Sequence, residues 1–114
     1  MVVQPRNIRR YITRDGRIPF AEWLDGLRDG KAKTIIDKRL DRVSNGNLGD
    51  YRSVGEGVWE LKIDYASGYR IYFGQIGSII VLLLCGGDKS TQERDIRRAI
   101  EYWTDYRRRE NANQ

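Results

Sequence analysis

Apolar positions along the chain recur at helical spacing up to about residue 44, alternate from Gly49 to Cys85, and return to helical spacing beyond Gly87. Phe20, Trp23, Leu24 and Leu27 fall at i, i+3, i+4 and i+7, one helical face. Pro19 suits the first turn of that helix, where the N–H it lacks has no partner to lose, and Asp29-Gly30 ends it. A second helix over about 31–44 puts Ala32, Ile35, Ile36, Leu40 and Val43 on its stripe and stops at Asn45-Gly46. The joint at Gly30 is too short for a linker, so the two form a helical hairpin within one domain.

The alternating half predicts strands. In "VWELKIDY" (58–65) Trp59, Leu61, Ile63 and Tyr65 alternate with Glu60, Lys62 and Asp64; in "YRIYFGQ" (69–75) Tyr69, Ile71 and Phe73 alternate with Arg70, Tyr72 and Gly74. "ASG" between them reads as a three-residue hairpin loop with Gly68 left-handed, which sets Tyr65 opposite Tyr69. "IIVLLLC" (79–85), entered through Gly77, is apolar on both faces and predicts the most buried strand. "NIRRYIT" (7–13) reads as an edge strand and "RDGR" as a turn. A last helix is capped by Ser90-x-x-Glu93 and buries Ile96, Ala99, Ile100 and Trp103; the tail after about 107 is polar and expected to fray. The expected architecture is α+β, in the order β-α-α-β-β-β-α, with a twisted antiparallel sheet and helices packed on one face.

Composition narrows the chemistry. At 114 residues the chain, 1–114, fits one domain that buries roughly 65% of its unfolded surface. There is no histidine, which excludes His-zinc sites and Ser–His catalysis and leaves acid–base work to Asp, Glu, Lys, Tyr or Arg. A single cysteine, Cys85, forbids an internal disulfide and fits both a reducing compartment and the role of a small buried hydrophobe. The start "MVVQPRNIRR" has no apolar leader segment, and no apolar run approaches the ~20 residues of a membrane span, so a cytoplasmic protein without membrane contact is expected. The net charge of +5 tilts the partner towards polyanions.

The stretch "CGGDKST" (85–91) poses a sharper question, because strand, glycines, lysine and hydroxyls also build nucleotide phosphate loops. The spelling fails: Asp88 separates Gly87 from Lys89, and Leu82 stands where the first glycine of that motif belongs. What remains is a helix start at Ser90 beside Lys89, fit for a phosphodiester and equally for a plain capped turn. With Tyr65 opposite Tyr69, Asp64 faces Arg70, Lys62 faces Tyr72 and Glu60 faces Gly74. Glu60, Lys62, Asp64, Arg70 and Tyr72 then share the sheet face away from the aromatic stripe. Such a face is either a solvated surface with an Asp64–Arg70 pair worth ~0–1 kcal/mol, or a site that holds a polyanion.

The blocks "PFAEWLDGLRD", "GNLGDYRSVGEGVWELKIDYASGYRIYFGQ" and "LLLCGGDKSTQERDI" resemble the RelE/ParE toxin superfamily, in particular its HigB-like "addiction module killer protein" branch, over residues ~5–106. The resemblance implies a RelE-like fold and the toxin of a type II toxin–antitoxin system. It further implies an endoribonuclease that cuts mRNA on the ribosome without metal or other cofactor, and a helix-turn-helix antitoxin as partner. In that chemistry the ribose 2′-OH attacks the next phosphate, which needs charge stabilisation on phosphorus and carriers for two protons. Arg70 matches the arginine that meets the scissile phosphate, Lys62 a lysine facing it and able to take the 2′-OH proton, and Lys89 a further basic contact. Glu60 stands where relatives often have a second lysine, and Asp95 where they have a tyrosine; each is a candidate acid or base. Tyr72 is the candidate for stacking on a base, with Lys89 and Ser90 as RNA contacts. Gly86, Gly87, Asp88 and Gln92 fit turn and cap roles. The arginines of "RNIRRYITRDGR" suit ribosomal RNA or a solvated edge strand. Arg94, Arg97, Arg98 and Arg107 suit an acidic antitoxin segment that covers the face or displaces the last helix, and equally a solvated helix whose arginines pair with Glu93, Glu101 and Asp105. Two other readings stand beside the nuclease: a ParE-like toxin that poisons DNA gyrase, and a non-enzymatic antitoxin-binding module.

Overall fold

The computed structural model describes residues 4–113. The elements run β1 (Asn7–Arg10), α1 (Pro19–Gly26), α2 (Gly30–Ser44), β2 (Tyr51–Gly55), β3 (Val58–Ile63), β4 (Tyr69–Ile76), β5 (Ile80–Gly87), a 3-10 turn (Lys89–Thr91) and α3 (Gln92–Ala112). Pro19 stands at the start of α1, and Asp29 caps α2 by accepting from the amides of Lys31 and Ala32. The tail expected to fray after 107 remains helical to Ala112.

The fold is α+β, but its sheet is mixed. The strand order is β1-β5-β4-β3-β2, with β1 parallel to β5 and every other pair antiparallel. β2 is a strand that alternation does not reveal, because as an edge it buries neither face: Tyr51, Arg52 and Ser53 are all exposed. It turns into β3 through Glu56 and Gly57, both at positive φ as a tight hairpin of matching twist requires.

Helices cover both faces, not one. α1 and α2 enclose a core of Phe20, Ile36, Val43, Leu61, Ile71, Phe73 and Leu83. α3 closes a second core on the opposite face with Val58, Tyr72, Leu82, Leu84, Ala99 and Trp103. The indole of Trp103 lies where a Cβ on Gly74 would stand, so the glycine lets α3 press onto β4. The apolar positions of β5 serve both cores, as its two-faced pattern predicts. No helix among the described residues is long and apolar enough to cross a membrane.

Candidate functional site

The β3–β4 register sets Lys62 opposite Arg70 and Glu60 opposite Tyr72, with Ile63 opposite Tyr69. The hairpin loop therefore spans residues 64–68, with Ala66 and Gly68 left-handed, and the pairing is shifted by two residues from the expected one. A shift of two keeps every side chain on its expected face and changes only its partner. Asp64 drops out of the ladder, so the anticipated Asp64–Arg70 pair is replaced by a Lys62–Arg70 neighbourhood. On the other side Arg70 lies opposite Gly87, and Lys89 follows two residues later. Lys62, Arg70 and Lys89 thus gather at one end of the sheet, the two lysines exposed and Arg70 only 7% exposed.

Three nitrogens of Arg70 have three situations. Nη1 donates to the carbonyl of Gly68 at 2.7 Å. Nε is buried, 3.7 Å from Oε2 of Glu60, and makes no hydrogen bond. Nη2 is neither hydrogen-bonded to a described residue nor sealed from solvent. The side chain is held at its root and open at one tip.

Glu60 is the hub beneath it. Its carboxylate, 2% exposed, accepts from Arg52 Nε at 3.0 Å and from Gln92 Nε2 at 2.9 Å. Burial pushes the carboxyl up, but Arg52, Gln92 and the Tyr72 hydroxyl together push it further down, so it stays ionised at neutral pH. A permanently ionised, fully engaged carboxylate is a poor proton donor. Its geometry assigns it to holding Arg70 and the first residue of α3, and its ionised state speaks against the role of general acid.

Asp95 and Tyr72 are also withdrawn from the surface. Asp95 is 4% exposed and accepts from the Thr91 hydroxyl; a Cβ on Gly87 would collide with its carboxylate. Tyr72 is fully buried beneath α3, where burial first and Glu60 second raise its phenol pKa strongly. A base has no access to its ring, so the expectation that Tyr72 stacks on RNA fails on burial. The expected Ser90-x-x-Glu93 cap does not form: α3 starts after Thr91 with no side-chain cap, and Asp88 caps the 3-10 turn before it, accepting from the Ser90 amide at 2.8 Å and from its hydroxyl at 2.5 Å. Ser90 itself is exposed beside Lys89. A depression of about 490 Å³ there is lined by Lys89, Ser90, Gln92, Arg94 and Arg97, with Glu93 the one acidic residue among them. Gly86 and Gly87, expected as a turn, are the last residues of β5, and Cys85 is buried with its thiol pushed up to about 12, chiefly by desolvation.

Arg52 and Gln92 were not legible as site residues. Arg52 belongs to the unpredicted edge strand, and Gln92 looked like part of a cap. The signal for both was the lone glutamate at position 60 in a strand that α3 buries, because a buried carboxylate must find donors.

The fold defines an α+β protein with a five-stranded mixed sheet sandwiched between a helical hairpin and a long C-terminal helix. No family model matches the chain. It is 46% identical over 82 residues to a Haemophilus influenzae protein named only as uncharacterized, an alignment covering 72% of this chain and 83% of that protein. The chain belongs to the same family as that protein.

Proposed function

We propose that the chain is a RelE/ParE-type toxin of the HigB-like branch, an endoribonuclease that cuts mRNA on the ribosome through metal-free attack of a 2′-OH on the adjacent phosphate. The observation that carries this reading is the Lys62–Arg70–Gly87 cross-strand row with Lys89 beside it. It concentrates three cations at one sheet end, one of them an arginine with an open Nη2. In this reading Arg70 stabilises the charge that builds on the phosphorane, at a position fixed beforehand by Glu60 and Gly68. Lys62, exposed and adjacent, takes the 2′-OH proton, and the departing 5′-oxygen is protonated by water at this exposed end of the sheet. Lys89 and the basic depression around it hold the neighbouring backbone. Glu60 and Asp95 have structural tasks, and Tyr72 belongs to the core.

Induced expression with mapping of new RNA 5′ ends tests the proposal. Cuts clustered within translated regions, with the DNA undamaged, are expected. Growth arrest with intact mRNA and cleaved DNA would replace the nuclease by the gyrase-poisoning reading, and intact translation would leave a binding module.

A further inference from the structure

On the other side of β3, where α2 meets the loop that leads into β2, a cavity of about 330 Å³ is lined by Arg39, Arg42, Asn47, Asp50, Lys62 and Asp64. Its five charged side chains form no ion pair with one another, since none of the salt bridges among the described residues includes any of them. Arg39 is fastened by Nη2 to the carbonyls of Leu48 at 2.6 Å and Asp50 at 3.4 Å, and its Nη1 is buried with no hydrogen-bond partner. Gly49, at φ +64°, supplies the room, for a Cβ there would collide with the guanidinium. Desolvation first and the charge of Arg42 second lower the pKa of Arg39, and the attraction of Asp50 is the weakest of the three effects. Two guanidiniums therefore repel each other at a cavity whose own carboxylates do not neutralise them. With Nη1 sealed and Nη2 bonded, Arg39 contributes charge, and the exposed Arg42 and Lys62 are left to meet an anion, three cations standing against two carboxylates.

We infer that this cavity is a second phosphate subsite, holding a backbone phosphate that flanks the one at Arg70 in a single-stranded polynucleotide. The inference rests on the nucleic-acid reading above. Lys62 joins the two places: it lines this cavity and is the direct cross-strand neighbour of Arg70. A strand passing over the hairpin end of β3 and β4 meets Arg70, then Lys62, then Arg42. The protein would thereby distinguish a polymer from a lone nucleotide.

The test uses the full chain and all-2′-deoxy oligonucleotides, which lack the attacking hydroxyl and are bound without being cut. Affinity for a dinucleotide, with one phosphate, and for a hexanucleotide is measured from 50 to 300 mM salt. For Arg42→Ala, an exposed position, the slope of log K against log salt for the hexanucleotide should shrink by about 0.7, the share of one phosphate. Its affinity for the dinucleotide should match wild type, and so should the hexanucleotide slope of Arg28→Ala, an exposed control away from the cavity. Arg70→Ala should weaken both ligands. An unchanged hexanucleotide slope in Arg42→Ala overturns the subsite, as does an equal loss in Arg28→Ala. If Arg42→Ala behaves as expected while Arg70→Ala binds normally, the subsite stands and the assignment of Arg70 falls.

Discussion

Arg70 couples the sheet to its proposed substrate through one free nitrogen, so shortening it should change chemistry and leave the fold. Arg70→Ala is expected to lower cleavage by roughly 10²–10³ in a protein that still folds but melts lower, because a buried partner of Glu60 is lost while Arg52 and Gln92 remain bonded to it. Growth arrest on induction, read beside thermal melts, checks it; a soluble and fully toxic variant contradicts it. Lys62→Arg separates binding from proton transfer. It should hold RNA as wild type does yet cut poorly, since arginine stays protonated; undiminished cleavage would remove Lys62 from the role of base. Glu60 makes a prediction about stability. Its folded pKa lies below the unfolded value, so its contribution is full above about pH 4.5 and fades as pH falls through the depressed folded pKa. Glu60→Gln should be destabilised at pH 7, by about 1–3 kcal/mol for a buried partner left unpaired. It should also show a shallower loss of stability on acidification than wild type. Parallel denaturation curves from pH 7 to pH 3 contradict this.

At the scale of elements, α3 decides which of the expected features survive. Its burial stripe, including Ala99 and Trp103, was legible from helical spacing, but nothing in local periodicity says which sheet face a terminal helix will cover. The face carrying Glu60, Arg70 and Tyr72 looked open because those residues are polar or amphipathic. In fact α3 closes over it, and Glu60 finds partners in Arg52 and Gln92 instead of water. β2 was hidden for the opposite reason, as an edge strand with no buried face to produce a pattern. The hairpin register was missed by two residues because Ala66, not glycine alone, adopts a left-handed conformation and lengthens the loop. The helices and central strands were readable, since each buries one continuous stripe. The close fit of α3 also bears on its displacement by an antitoxin, which would expose the whole second core. Trp103→Ala should cost about 3–5 kcal/mol, measurable by chemical denaturation. A cost below 1 kcal/mol would mean that α3 is only loosely applied to the sheet.

For the molecule as a whole, net positive charge, a cation row at one sheet end and a depression lined by further cations beside it suit the polyanion proposed as substrate. In the proposed toxin reading, an antitoxin has two routes to silence it, masking that sheet end or prising α3 away, and the second core favours masking. Backbone amides of residues 96–103 should therefore keep their slow hydrogen exchange in a complex with the product of the adjacent reading frame. Rapid exchange there on binding would indicate displacement. The central claim concerns chemistry, and the product ends report it most directly. Purified protein is incubated with ribosomes translating a defined mRNA, in parallel with Arg70→Ala, and the upstream fragment is analysed for its 3′ terminus. Attack by the 2′-OH predicts a 2′,3′-cyclic phosphate from the wild type and at least a hundredfold less from Arg70→Ala. Intact mRNA with the wild type, a 3′-hydroxyl terminus, or equal cleavage by both proteins would contradict the account.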